Sequence, residues 1–124
     1  MTATSLFNCE QIDQVMVIEL SKESTDFIET DILAEAEELL ERLKRQQLGR
    51  VLVDFRNVDY FGSLVLEAVR AVWRGIQPEG RLAICHLSQV GREVLQISKF
   101  DTVWDVFASR EEALKSLQRE AGRD

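Results

Sequence analysis

The sequence predicts an α/β fold in which helices pack on a mixed, mainly parallel sheet. Three observations predict it. Short β-branched and aliphatic runs recur along the chain, as in VMVIEL, VLVDF and RLAICHL. The segments between the later runs return apolar residues at helical spacing. The first two strand-like runs are separated by little more than Asp13-Gln14. Strands that alternate with helices pair in parallel through right-handed crossovers. Two strands joined by a short polar turn form an antiparallel hairpin.

Taken in order, Ser5 to Glu10 and Val15 to Leu20 read as strands, the first an antiparallel edge. SKESTDFIET is polar and reads as a loop. Ile32, Leu33, Ala36, Leu39, Leu40 and Leu43 then mark an amphipathic helix, with Thr30 or Asp31 to cap it and Gly49 just past its end. Glu38 with Arg42 and Glu41 with Arg45 stand four apart on its solvated face, an arrangement that adds only a few tenths of a kcal/mol per pair. Val51 to Phe55 has the uninterrupted apolar character of a strand buried on both faces. A helix follows from about Ser63 to Ile76, burying Leu64, Ala68, Val69, Val72, Trp73 and Ile76. Pro78 and Gly80 break it, and Leu82 to Leu87 forms the next strand. Ser88 caps a helix carrying Val90, Val94, Leu95 and Ile97, and Thr102 to Phe107 is a short last strand. Ser109 and Glu112 have capping-box spacing before a final helix that packs through Ala113, Leu114 and Leu117. The element order is ββαβαβαβα.

Composition narrows the function. The 124 residues carry 22 acidic and 15 basic side chains, a formal net charge of −7. That balance disfavours nucleic acid and anionic membrane surfaces, which are held by Lys and Arg. No apolar run approaches the roughly 20 residues needed to cross a bilayer, and the N-terminus has no signal-peptide pattern. The expected location is the cytoplasm. Cys9 and Cys85 fit reduced, packed thiols better than a bridge. His86 is the only histidine. If both residues lie in a strand, Cys85 and His86 point to opposite faces and do not meet. No second imidazole completes a metal site, and neither a phosphate-binding loop nor a dinucleotide fingerprint is present. No cofactor is expected, and no convergent polar set suggests an enzyme. Asp54 and Asp59 bracket a loop, but they read as a strand-end residue and a solvated carboxylate, not a paired acid and base.

The joint between VLVDF and the following helix is the feature most open to modification or binding. Gly62-Ser63 brings a hydroxyl to a helix start, where N–H groups lack intrahelical partners. Ser63 reads as an N-cap, and a phosphoacceptor role is compatible with that. Tyr60 and Phe61 precede it; Phe61 is expected to turn inward and Tyr60 to meet a partner.

Three patterns, in this order and at these separations, resemble a known family. VLVDFRNVDYF is similar to the strand "LVLDLSGVDFI" of STAS domains, the fold of bacterial anti-sigma factor antagonists. GRLAICHLSQVGREVLQISKFDTVWDVF resembles "GGRLVLVNVSPEVRRVLELTGLDRLFPIF", and SREEALKSL resembles "SVEEALAAL". The resemblance implies a single STAS-type domain over residues 1–124, with a core of about 5–118. It also implies a protein-binding role without catalysis. The partner would be an anti-sigma factor of serine-kinase type, sequestered so that a sigma factor is freed, and a homodimer is compatible. Antagonists of this kind carry Asp-Ser-Ser-Gly or Asp-Ser-Thr-Gly at the second helix, where the second hydroxyl residue is phosphorylated, the position that Leu64 takes here unless the overlay slips by one residue and puts Ser63 on it. Overlaying that motif puts Gly62 on the aspartate, Ser63 and Leu64 on the hydroxyl residues and Val65 on the glycine, so Ser63 alone remains as phosphoacceptor. Asp54 matches the family's strand-end aspartate near this loop. The implied switch loop and partner surface is then Asp54, Asp59, Tyr60, Gly62 and Ser63, with Glu67 and Arg70 on the outer side of the helix. The departure from the motif leaves a second reading, an unphosphorylated STAS scaffold or dimerisation module in a signalling assembly.

Overall fold

Aliphatic and β-branched runs become the middle of the sheet because both of their faces can be covered. The computed structural model describes residues 7–20, 29–59 and 61–121. Strands β1 (Phe7–Ile12), β2 (Val15–Leu20), β3 (Arg50–Asp54), β4 (Arg81–Cys85) and β5 (Asp105–Phe107) lie side by side in chain order. Only β1 and β2 pair antiparallel; the other three pairings are parallel. The helices are α1 (Glu29–Arg45), α2 (Ser63–Gly75), α3 (Gln89–Ser98) and α4 (Arg110–Ala121).

Side chains alternate across the pleat and so feed two cores. Met16, Ile18, Val51, Val53, Leu82 and Ile84 pack beneath Ile32, Ala36, Leu39 and Leu43 of α1, Val65, Ala68, Val69 and Val72 of α2, and Leu95 of α3. Val15, Val17, Leu52, Ala83 and Cys85 take the other face, where Ala113 and Leu117 of α4 cover them. The sheet is therefore the middle layer of three. Trp104 is buried, stacks on Phe100 at 4.4 Å and meets Trp73 edge-on at 6.3 Å.

The predicted boundaries shift in several places. Within the described residues the first strand runs to Ile12, two residues past the expected end. Asp13 takes a left-handed φ of 54° to make the tight turn, a conformation Asp tolerates better than most residues. Helix α1 already includes Glu29, so Thr30 and Asp31 fall inside it and not at the expected cap position. The polar segment 21–28 lies outside the described residues. After α1, Gln47 and not Gly49 supplies the left-handed residue, at φ 55°. The Leu48 N–H then reaches back to the Leu43 carbonyl at 2.9 Å. A 3₁₀ turn, Phe100–Thr102, replaces the start of the predicted last strand.

Two caps form as the spacing predicts. The Ser88 hydroxyl accepts from the Gly91 N–H at 3.0 Å, and Ser109 accepts from the Glu112 N–H at 3.2 Å. Helix α2 departs from expectation: its buried side is Val65, Ala68, Val69 and Val72, while Leu64, Trp73 and Ile76 are half-buried. The run Leu64-Val65-Leu66 offers apolar groups on adjacent sides, so spacing alone did not fix which side turns in. Helix α3 also departs from it, because only Leu95 of its predicted apolar residues is fully buried. Val90 is 45% and Ile97 83% exposed.

Candidate functional site

The parallel register brings Glu19, Asp54 and Cys85 into one row at the C-terminal ends of β2, β3 and β4. The chain continues from this row into the loop before α2 and the connection before α3. Asp54 is fully buried, the one buried charged residue among those described. A lone carboxylate there would cost several kcal/mol. It is surrounded instead. Arg110, the first residue of α4, donates from Nε at 3.1 Å and from Nη2 at 3.0 Å to Oδ2. The Arg56 N–H donates to Oδ1 at 2.9 Å. His86 Nδ1 is also 2.9 Å from Oδ1, and since a carboxylate only accepts, that nitrogen carries the proton. Arg110 Nη2 reaches Glu19 Oε2 at 3.3 Å as well.

Burial by itself would raise the Asp54 pKa. The hydrogen bonds from His86, the Arg56 N–H and Arg110 outweigh it, and the carboxyl sits below its ordinary value. Cys85 is pushed up to about 12, first by burial and then by the Asp54 charge. Its thiol stays protonated and unreactive at neutral pH, and both cysteines are free.

Cys85 and His86 do meet, contrary to the strand-alternation expectation. Their sulfur and ring nitrogen lie within 4.8 Å of each other and of an Asp54 oxygen. Strand β4 ends at Cys85, and His86 takes a left-handed φ of 60° that swings its ring back over Asp54. The three residues make a poor cation site. The Asp54 oxygens are already taken by Arg110, Arg56 and His86, the thiol is neutral, and two guanidinium groups repel a metal ion.

Asp54 therefore does not reach the surface, and its place in the predicted partner surface is corrected: its charge anchors Arg110 and holds the base of the loop. The described residues of the loop behave as expected. Asp59, Gly62 and Ser63 are exposed, and Tyr60 lies outside the described residues. Phe61 turns inward as predicted, 2% exposed, with its ring centroid 4.8 Å from that of Phe55. Gly62 caps α2 with φ −92° and ψ −174°, so Ser63 is the first helical residue and not the cap. Its hydroxyl has no partner among the described residues. Glu67 and Arg70 pair at 3.5 Å on the outer side of α2.

Sequence reasoning missed Arg56 and Arg110 as partners of Asp54. An aspartate closing a fully apolar strand signals that some cation must reach it. Nothing in the sequence said that the cation would come from residue 110. A second link was also not visible: the Ser88 hydroxyl donates to the Asp59 carbonyl.

A β-sheet in this order, with α4 alone on one face and the loop before α2 exposed, matches known proteins. The family model of the STAS domain matches residues 7–113, and the chain belongs to that family. BtrV of Bordetella bronchiseptica, an anti-sigma factor antagonist by name, is 38% identical over 70 residues; the match covers 56% of this chain and 60% of BtrV. Among solved structures, an anti-sigma-factor antagonist (STAS) domain protein from Planctomyces limnophilus is 29% identical with a TM-score of 0.77, covering 90% of this chain and 97% of that one. An anti-sigma factor antagonist from Mycobacterium paratuberculosis shares the fold at 16% identity and a TM-score of 0.72, over 90% of this chain and 92% of its own. The chain is thus a STAS protein whose relatives include anti-sigma factor antagonists.

Proposed function

We propose that this chain is a single protein-binding module that acts as an anti-sigma factor antagonist and performs no catalysis. It docks on an anti-sigma factor of the serine-kinase type through Asp59, Tyr60, Gly62 and Ser63 and the outer side of α2 around Glu67 and Arg70. Transfer of the γ-phosphoryl group of a nucleoside triphosphate held by the kinase to Ser63 Oγ, with nucleoside diphosphate leaving and the hydroxyl proton passing to a base of the kinase, releases the complex. The carrying observation is the exposed Ser63 at the first turn of α2, with no partner for its hydroxyl among the described residues. A phosphate there brings about −1.5 to −2 charges, and a partner packed on a neutral corner would have to desolvate them. Val90 and Ile97 support a surface that extends along α3, whose first turn abuts the corner through Ser88 and Asp59. No described helix is long and apolar enough to cross a membrane, and the setting we propose is the cytoplasm.

Incubation with a cognate serine-kinase anti-sigma factor and nucleoside triphosphate, followed by mass spectrometry, tests the switch. The expected result is one phosphate, on Ser63, lost in Ser63→Ala. Ser63→Glu is expected to weaken partner binding at least about tenfold, or about 1.4 kcal/mol. Binding with no modification would instead favour the unphosphorylated scaffold, which the loss of the motif's aspartate at Gly62 and of its second hydroxyl at Leu64 suggests. Absence of binding to any anti-sigma factor would overturn the antagonist reading. Ile97→Lys offers a separate check on the surface. Unfolding stability should change by no more than about 0.5 kcal/mol, as for an exposed position, while titration calorimetry should show weaker binding of the partner.

A further inference from the structure

Between Asp59 and Ser63 the described chain has a single inward anchor, the Phe61 ring. Further restraints come from the β4–α3 connection, three consecutive residues with three different attachments. His86 bonds Asp54 at the base of the loop. Leu87 is buried in the core formed by α1, α2 and α3. Ser88 turns its hydroxyl to the tip, donating to the Asp59 carbonyl while accepting from the Gly91 N–H. Gly91 lets α3 come this close: a Cβ there would stand 3.2 Å from Phe61 Cε1 and 2.9 Å from Leu87 Cδ2.

We propose that Ser88 is a positioning residue for the docking corner, its one hydroxyl both capping α3 and latching the Asp59 carbonyl so that Ser63 and the first turn of α3 are presented together. The inference rests on the reading of that corner as the docking surface. The two duties use different halves of the hydroxyl: the oxygen lone pair serves the cap, and the proton serves the latch. An N-cap without a proton to give would keep the first and lose the second.

That difference sets the test. Ser88→Asp keeps an acceptor for the Gly91 N–H, and aspartate is as good an N-cap as serine, but at neutral pH it cannot donate to Asp59. Ser88→Thr keeps donor and acceptor, and Ser88→Ala loses both. Three measurements are made on each full-length variant: thermal midpoint, amide hydrogen exchange across 59–64, and affinity for the anti-sigma factor. Ser88→Asp is expected to hold the wild-type midpoint within about 3 °C, to exchange about tenfold faster across 59–64, and to bind more weakly. Ser88→Thr should match wild type in all three, and Ser88→Ala should lose midpoint as well as protection. The latch is overturned if Ser88→Asp exchanges and binds like wild type. It is equally overturned if Thr fails to restore protection. The exchange measurement needs no partner. If the wild-type protein bound no anti-sigma factor, the functional reading would fall while exchange still decided the latch.

Discussion

Asp54→Ala is expected to lower unfolding stability by about 3–5 kcal/mol, the usual cost of removing one partner from a buried ion pair. The carboxylate is fully buried and receives two bonds from Arg110, one from the Arg56 N–H and one from His86. Its loss leaves the Arg110 guanidinium, among the described residues, with only Glu19 and Glu10 as anionic partners, Glu10 at 3.8 Å. It also frees the Arg56 N–H and the His86 ring in a volume that alanine does not fill. Urea unfolding followed by circular dichroism measures the change, and a loss below about 1 kcal/mol would show that the cluster is not a hub. The double variant Asp54→Leu with Arg110→Met should recover part of the loss, because it removes both charges and supplies apolar volume.

The same residue sets an acid limit. The folded Asp54 carboxyl lies below its ordinary value of 3.8. A depressed carboxylate contributes stability that is present above the unfolded value and disappears as pH falls through the folded one. Wild-type stability should therefore drop as pH falls below about 4, and Asp54→Asn should show a shallower drop over that range.

The parts of this molecule that were legible in the sequence are those in which one short segment decides the outcome. VMVIEL, VLVDF and RLAIC leave no polar face, so they lie in the middle of the sheet, whereas the order of the strands within it was not read from the sequence. Ser88 and Ser109 were legible as caps because a cap depends on residues only three apart. The site was less legible because its contacts are distant in sequence. Asp54 and Arg110 are 56 positions apart and meet only after α4 has crossed behind the sheet. The alternation rule failed at His86 because the strand ended one residue earlier and a left-handed residue followed, a conformation no local signal required. Spacing on α3 marked Val90 and Ile97 as core. This helix buries only a narrow stripe around Gly91 and Leu95, so the outer apolar residues remain in solvent. Ser63 was displaced from the cap because Gly62 adopts the extended conformation that a cap requires.

Phe61→Ala is the substitution expected to damage the corner from beneath. The ring is 2% exposed, packs tilted against Phe55 and fills the space left open by Gly91. Truncating a buried phenylalanine costs about 3–5 kcal/mol, from lost transfer energy and from the cavity left behind. The aromatic pair with Phe55 accounts for about 0.5–1.5 kcal/mol of it. Phe61→Leu keeps most of the volume and should cost about 1–1.5 kcal/mol. The consequence for function differs from that of Asp54→Ala. Asp54 holds the base of the loop, so its loss loosens α4 and the β4–α3 connection together. Phe61 lies one residue before Gly62, so a cavity beneath it lets the first turn of α2 settle inward and carries Ser63 with it. In the fraction that remains folded, phosphorylation of Ser63 by the kinase should therefore be slower in Phe61→Ala than in Phe61→Leu. Single-turnover phosphorylation at a temperature where both variants are more than nine-tenths folded separates the two contributions. Equal rates in the two variants would mean that Phe61 supports stability alone and that the corner keeps its place without the ring.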